Sequence, residues 1–209
     1  KQVLGMSRPS SHKAICVALS MVLVVETLPA AAQQAIVGAA GMPGDVRPFV
    51  DQTYNGTPKI NIVGPNGAGV SHNLYERFNV DGRGLILNNS AIDTQTGLAG
   101  WTEGNPNLRL GGEARVIVNE VTGASDSKLE GPLEVGGRKA DVIVANPNGL
   151  TCNGCGFVNT GRATLTTGRP VFGADGSLER LRVEEGALII GPGGLDARGT
   201  ERMDLLARA

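Results

Sequence analysis

The chain repeats one pattern of apolar and polar positions: short runs of aliphatic and β-branched residues, most of which end in Asn, Gly or Asp. The runs are Ile60-Asn61-Ile62-Val63, Leu85-Ile86-Leu87-Asn88-Asn89, Val116-Ile117-Val118-Asn119, Val142-Ile143-Val144-Ala145-Asn146, Ala163-Thr164-Leu165-Thr166 and Leu188-Ile189-Ile190. β-Branched residues favour strands over helix. The central residues of successive runs are 25, 30, 26, 22 and 24 positions apart, a spacing that indicates a solenoid.

An all-β parallel β-helix explains this pattern together with the composition. Glycine occupies 31 of the 209 positions and aromatic residues account for only 3%, and so much glycine is unfavourable inside helices. Each coil of a β-helix turns at corners where Gly or Asn adopts positive φ. We expect residues 33–50 to cap the first coil and further coils to follow residue 209. On periodicity alone, an ordinary β-sandwich is the alternative.

Residues 1–32 have the pattern of an export signal. A polar, positively charged stretch precedes an apolar core at residues 14–25. These twelve residues are too few to cross a bilayer, which needs about 20. A proline and a small-residue site follow, and we predict cleavage between Ala32 and Gln33. A buried N-terminal helix is the alternative.

Charge and candidate chemistry narrow the function classes. The 19 basic and 20 acidic side chains give a net charge of −1, and the bases are scattered, so nucleic-acid binding is not expected. No nucleophile motif, phosphate loop or dinucleotide fingerprint occurs. His72 has no paired cysteine or evident carboxylate, and we interpret it as a structural hydrogen-bonding residue. The sequence therefore predicts a non-enzymatic protein with no catalytic residues, no metal site and no cofactor.

Two Asn-Pro-Asn segments predict sharp corners. They are Asn105-Pro106-Asn107-Leu108 and Asn146-Pro147-Asn148-Gly149, the second followed by Leu150. The second suits a type I turn, with proline at the position that favours a fixed φ.

A pair of cysteines encloses another turn. Cys152 and Cys155 flank an Asn-Gly dipeptide, a strong turn signal. A β-turn brings its first and fourth Cα atoms within about 7 Å, close to the range that a disulfide allows. In an exported chain, a small structural disulfide is the main prediction. A thioredoxin-type site and a zinc site using His72 are the alternatives.

Several motifs follow one another in order along about 90 residues. They are Gly69-Val70-Ser71-His72-Asn73, Tyr75, Arg77-Phe78-Asn79-Val80, Gly84-Leu85-Ile86-Leu87-Asn88-Asn89-Ser90, Asn105-Pro106-Asn107-Leu108, Ile117-Val118-Asn119-Glu120-Val121-Thr122-Gly123, and the stretch from Ala140 to Phe157 that contains Asn146-Pro147-Asn148-Gly149-Leu150 and Cys152-Asn153-Gly154-Cys155. Together they resemble the two-partner-secretion domain of filamentous haemagglutinins, related haemolysins and contact-dependent inhibition toxins. The resemblance runs from about residue 43 to residue 209.

The resemblance implies a right-handed, single-stranded parallel β-helix with an N-terminal cap, and a role as a secretion signal. After export by the Sec machinery, such a domain is recognised in the periplasm by the POTRA domains of an outer-membrane β-barrel transporter. Its folding outside a Gram-negative cell then nucleates the rest of a long exoprotein, whose downstream regions contact a host or neighbouring cell. The resemblance also implies that residues 105–108 and 146–150 matter for secretion, chiefly as turns.

Two other functions remain open at the level of sequence. One is an adhesin module that itself binds a host glycan or protein. The other is a polysaccharide-active β-helix enzyme, which would need clustered aspartates beside a basic residue, and no such cluster is evident.

Overall fold

The computed structural model describes residues 35–41, 47–108 and 112–208, where nearly all regular structure is β. The strands are β1 (Ile36–Gly38), β2 (Phe49–Gln52), β3 (Pro58–Asn61), β4 (Val70–Phe78), β5 (Leu85–Asn89), β6 (Thr94–Thr96), β7 (Gly100–Thr102), β8 (Val116–Val121), β9 (Ser127–Leu129), β10 (Pro132–Gly137), β11 (Ala140–Ala145), β12 (Leu150–Cys152), β13 (Cys155–Val158), β14 (Thr160–Thr166), β15 (Arg169–Phe172), β16 (Leu178–Arg182), β17 (Leu188–Ile190), β18 (Leu195–Asp196) and β19 (Arg202–Leu206). A short 3-10 helix, η1 (Pro106–Leu108), lies between β7 and β8. The predicted export signal and its cleavage point between Ala32 and Gln33 lie outside the described residues.

Three parallel sheets form the body of the fold. In spatial order, sheet 1 contains β3, β5, β10, β13 and β18, sheet 2 contains β4, β8, β11, β14 and β19, and sheet 3 contains β9, β12 and β17. A parallel bridge between Val80 and Leu129 adds one more position to sheet 3. The chain visits sheets 1, 2 and 3 in turn and then begins again. This is the topology of a parallel β-helix, so the sandwich alternative is wrong.

Five coils can be followed along the chain. The first contains β3 and β4, the second β5, β8 and β9, the third β10, β11 and β12, the fourth β13, β14 and β17, and the fifth β18 and β19. Val116 pairs with Asp141, so a plain coil has 25 residues. The pairs Val70 with Val116 and Arg162 with Arg202 instead span 46 and 40 residues. Both long intervals contain an inserted antiparallel hairpin, β6–β7 in one and β15–β16 in the other.

Because of these insertions, two of the five spacings taken from the sequence do not measure a coil. The 30-residue step joins Leu87 in sheet 1 to Ile117 in sheet 2 of the same coil, and the 24-residue step joins Leu165 in sheet 2 to Ile189 in sheet 3 of the same coil. Each hairpin lengthens its coil enough to imitate a full repeat. Only the steps of 25, 26 and 22 residues connect neighbouring coils within one sheet.

The first two strands cap the helix. β1 pairs antiparallel with β4, and β2 pairs antiparallel with β3. They cover the edge that the first coil would otherwise leave unpaired, and open strand edges are templates for aggregation. This is the N-terminal cap predicted for this region.

The interior between the three sheets is aliphatic. Its fully buried members include Ile60, Leu85, Leu87, Ile117, Leu129, Leu133, Val142, Val144 and Leu165. Tyr75 and Phe78 lie near the capped end with ring centroids 4.9 Å apart in an edge-on arrangement. The Tyr75 hydroxyl donates to Asn119 Oδ1 at 3.0 Å, and burial raises the pKa of Tyr75 well above its usual value.

Some corner glycines are required by close contact between coils. A Cβ on Gly123 would lie 2.0 Å from the carbonyl oxygen of Glu76, and one on Gly199 would lie 2.2 Å from that of Phe157. Neither glycine has positive φ. The coils therefore approach backbone to backbone at these corners, where any side chain would push them apart.

Candidate functional site

The first Asn-Pro-Asn segment closes the corner between sheets 1 and 2 of the second coil. Asn105 O accepts a hydrogen bond from the Leu108 N–H at 3.2 Å, and Asn105 Oδ1 accepts one from the Asn107 N–H at 2.9 Å. The Asn105 side chain is fully buried, and its Nδ2 donates to Ile62 O at 2.8 Å and to Asn88 O at 2.9 Å. One amide thus fixes its own turn and ties it to the strand ends of two coils, while Pro106 starts η1.

The second segment repeats this arrangement between sheets 2 and 3 of the third coil. Asn146 O accepts from the Gly149 N–H at 3.1 Å, and Asn146 Oδ1 accepts from the Asn148 N–H at 3.0 Å. Asn146 Nδ2 donates to Ser125 O at 3.0 Å and to Ser127 Oγ at 2.9 Å, both in the second coil. The side chain is fully buried.

The residues around Asn146 fit the same corner. Gly149 has a φ of 129°, in the region that favours glycine. Pro147 occupies the second position of the turn and carries no N–H to satisfy. Leu150 begins β12 and is buried in the core. The predicted turn therefore exists, and its first asparagine also joins it to the coil before.

The second asparagine of each segment is exposed, and its side chain donates a hydrogen bond to the preceding coil. Asn107 Nδ2 donates to Ile62 O at 3.1 Å, and Asn148 Nδ2 donates to Gly123 O at 2.7 Å. Both side chains are exposed, in contrast to the buried Asn105 and Asn146. Each segment therefore has one buried and one exposed amide, and both amides bond to carbonyl oxygens of a preceding coil.

The cysteine pair closes the corner between sheet 3 of the third coil and sheet 1 of the fourth. Cys152 and Cys155 form a disulfide with a Cα–Cα distance of 5.3 Å, and both are buried. Gly154, with a φ of 92°, donates its N–H to Gly194 O in the corner of the next coil at 2.8 Å. The three predicted motifs thus lie at three different kinds of corner and do not converge on one pocket.

The coil beyond the disulfide carries a paired surface charge. Asp196 lies beside Gly156 in the register of β13 and β18. Its carboxylate accepts hydrogen bonds from the Arg198 side chain at 2.7 and 2.9 Å, and these hold the pKa of Asp196 at about 2. Both groups are exposed.

Sequence reasoning missed two buried or half-buried acidic partners. His72 Nε2 lies 2.7 Å from Glu120 Oε2 in the neighbouring coil, so the interpretation of His72 as lacking a carboxylate partner is wrong. Glu134, almost fully buried, accepts the Gly97 and Leu98 N–H groups at 2.6 and 2.8 Å and anchors the tip of the β6–β7 hairpin. Each pair is separated by 36 to 48 residues, so only the coil register could have indicated it.

The described residues contain neither a cluster of metal ligands nor a membrane-spanning helix. Among them, no three His, Cys, Asp or Glu side chains are grouped to hold a metal ion. Across the same part of the chain, no helix has the length and apolar composition that crossing a membrane requires.

Comparison with known proteins assigns this arrangement to a family. A family model described as the TPS secretion domain matches residues 32–209. The chain belongs to the TPS secretion domain family. The predicted family is thereby confirmed, and with it the interpretation of the chain as a secretion domain.

The relatives of this TPS domain include much longer proteins. It is 53% identical over 161 residues to the tRNA nuclease CdiA of Escherichia coli, covering 77% of this chain and 5% of that protein. It is 45% identical over 200 residues to the 16S rRNA endonuclease CdiA of Enterobacter cloacae subsp. cloacae, covering 95% of this chain and 6% of that protein. The chain thus spans about a twentieth of these relatives, and their names describe the whole proteins.

A solved structure supports the fold. The crystal structure of the filamentous hemagglutinin secretion domain is similar to this TPS domain with a TM-score of 0.75 and 40% sequence identity, over 84% of this chain and 56% of that one. The predicted β-helix is therefore confirmed. No finding favours the adhesin or the polysaccharide-active enzyme as the function of the domain.

Proposed function

We propose that this TPS domain directs a long exoprotein through its outer-membrane transporter and starts the folding of that protein outside the cell. The observation that carries the proposal is the match to the TPS secretion domain over residues 32–209, which includes all five coils.

The route begins with the export signal. Residues 1–32 engage the Sec machinery, and cleavage between Ala32 and Gln33 releases the chain into the periplasm. The start of the family match at residue 32 supports this boundary. In the periplasm, the unfolded chain adds as a strand to a sheet edge of a transporter POTRA domain, a mode in which main-chain hydrogen bonds supply most of the affinity.

Folding outside the cell then proceeds from the capped end. Neighbouring coils of a solenoid contact each other directly, so each formed coil is the template for the next. The Asn-Pro-Asn corners fit this order, because Asn105 and Asn146 donate to carbonyl oxygens of the preceding coil. The hydrogen bonds of a corner can all form only after the preceding coil has folded. Folding in this order outside the cell would oppose backward movement of the chain and so favour transport outward.

The exoprotein as a whole belongs, in this proposal, to the contact-dependent inhibition type, because relatives of 45% to 53% identity carry the CdiA name. Its toxic or adhesive activity would reside beyond residue 209. The TPS domain contributes the address and the first coils to fold.

The test is a secretion assay in cells that make the exoprotein with or without its transporter. Asn105→Ala and Asn146→Ala, singly and together, are compared with Asn55→Ala, which removes an exposed turn asparagine that donates to Leu98 O. We expect transporter-dependent secretion of the unaltered protein and of Asn55→Ala. The double variant should show at least a tenfold loss, because two buried corners lose their bonds.

Two results would contradict this proposal. Equal secretion with and without the transporter would remove the transporter from the route. Unchanged secretion of the double variant would show that residues 105–108 and 146–150 have no role in it.

A further inference from the structure

The β15–β16 hairpin leaves the helix in the fourth coil and returns to the first. The Phe172 ring lies 4.5 Å, centroid to centroid, from the imidazole of His72 on β4. At the hairpin turn, Gly176 O accepts a hydrogen bond from Asn66 Nδ2 at 2.8 Å. These partners are separated by 100 and 110 residues in the chain, although each plain coil needs only about 25.

An apolar layer joins the hairpin to three coils at once. On the outer face of sheet 2, Val70, Val118 and Ile143 come from β4, β8 and β11, that is, from the first, second and third coils. Phe172 and Leu181 of the hairpin pack against them. This second cluster is separate from the core between the sheets.

A polar contact lies under the same cover. His72 and Glu120 belong to adjacent coils, and their side chains are 24% and 14% exposed. Phe172 stacks on the imidazole at an interplanar angle of 41°. The hairpin thus covers both the apolar face of sheet 2 and the contact that links its first two strands.

We propose that the β15–β16 hairpin, residues 169–182, is a clasp that binds the first three coils to the fourth and makes the domain open and close as one unit. In a plain solenoid each coil contacts only its neighbours, so the ends open independently. The clasp adds contacts between coils that are not neighbours. Until it docks, Val70, Val118 and Ile143 lack their outer cover, and the early coils stay reversible.

The clasp also sets the time at which the fold becomes permanent, and this part rests on the proposed secretory function. In a chain that emerges N-terminus first, β4 appears about 100 residues before Phe172. The first coils can form early, but they become fixed only when the hairpin has emerged and folded back. Only three coil strands, β17, β18 and β19, then remain to be added within the described residues.

The experiment is native-state hydrogen exchange of the chain in solution, read by mass spectrometry on peptides from β4, β8 and residues 169–182. Phe172→Ala removes the ring that contacts His72. The matched control is Trp101→Ala, which removes an aromatic side chain, 73% exposed, from the other inserted hairpin. We expect Phe172→Ala to accelerate exchange in β4 and β8 at least tenfold, and Trp101→Ala to change it by less than twofold.

One pattern of exchange would contradict the proposed clasp. If Phe172→Ala accelerates exchange only in residues 169–182 and leaves β4 unchanged, the hairpin does not clasp the coils. Phe172→Leu, which keeps an apolar side chain, serves as a milder variant should Phe172→Ala fail to fold, with the same order of effects expected. No transporter is present in this assay, so its outcome is independent of whether the domain is the secretion signal.

Discussion

Asn146→Ala should be among the most damaging single substitutions of a polar residue in this domain. It deletes four hydrogen bonds: Nδ2 donates to Ser125 O and to Ser127 Oγ, and Oδ1 accepts from the N–H and from the Nδ2 of Asn148. Each contributes about 1 kcal/mol net, and a buried partner left unpaired adds to that loss. Because Ser127 is fully buried, we expect the free energy of unfolding to fall by about 4 kcal/mol.

The assay is equilibrium unfolding in urea, followed by far-ultraviolet circular dichroism. Asn148→Ala is the matched control: its exposed amide donates to Gly123 O and to Asn146 Oδ1, and because water can replace these bonds its loss should cost about 1 kcal/mol or less. Asn146→Asp keeps the shape but sets a carboxylate oxygen against Ser125 O, so it should be at least as harmful as Asn146→Ala at neutral pH. A cost for Asn146→Ala no larger than that of Asn148→Ala would refute the role assigned to the buried amide.

Three further outcomes are expected. Cys152→Ser, which opens a four-residue loop, should lower the free energy of unfolding by about 2 kcal/mol in urea under non-reducing conditions, and an unchanged midpoint would contradict this. Hydrogen bonds from Arg198 hold the pKa of the Asp196 carboxyl at about 2, so the ionised carboxylate stabilises the fold above the usual aspartate pKa, and this stabilisation is lost as pH falls through about 2. An NMR titration of Asp196 should therefore give a midpoint near 2, and Arg198→Ala should raise that midpoint toward 4. Gly123→Ala should cost about 2 kcal/mol or more in thermal unfolding because its Cβ meets backbone, whereas Gly67→Ala, in open space, should cost less than about 0.5 kcal/mol.

The sheets were the predictable part of this fold. Runs such as that at Val142–Val144 combine β-branched residues with corner asparagines, and the ordered motifs indicated the family as well as the topology. The turns at Asn105 and Asn146 were predictable from proline chemistry. Their bonds to earlier coils were not, because these depend on which strands stack.

The inserted hairpins were hidden by their length and composition. Residues 169–182 contain short apolar stretches like those of the coil strands. The Asp175-Gly176 pair between them is a turn signal, but it does not show that the hairpin lies outside the helix. The contact of His72 with Glu120 was missed because the two residues are 48 positions apart and meet only through the pairing of neighbouring coils. Gly123 illustrates a further limit: a corner glycine suggests positive φ, whereas here it is required by a backbone only 2.0 Å from where a Cβ would lie.

The spacing of Cys152 and Cys155 has a consequence for transport. A bridge between two coils would tie 20 or more residues into a closed loop, and the chain could then pass a narrow pore only as a doubled strand. The bridge seen here encloses four residues at a single corner. On the proposed route, a chain oxidised in the periplasm would therefore still pass through the transporter as a single strand, with the turn at Cys152–Cys155 already formed before the third coil folds.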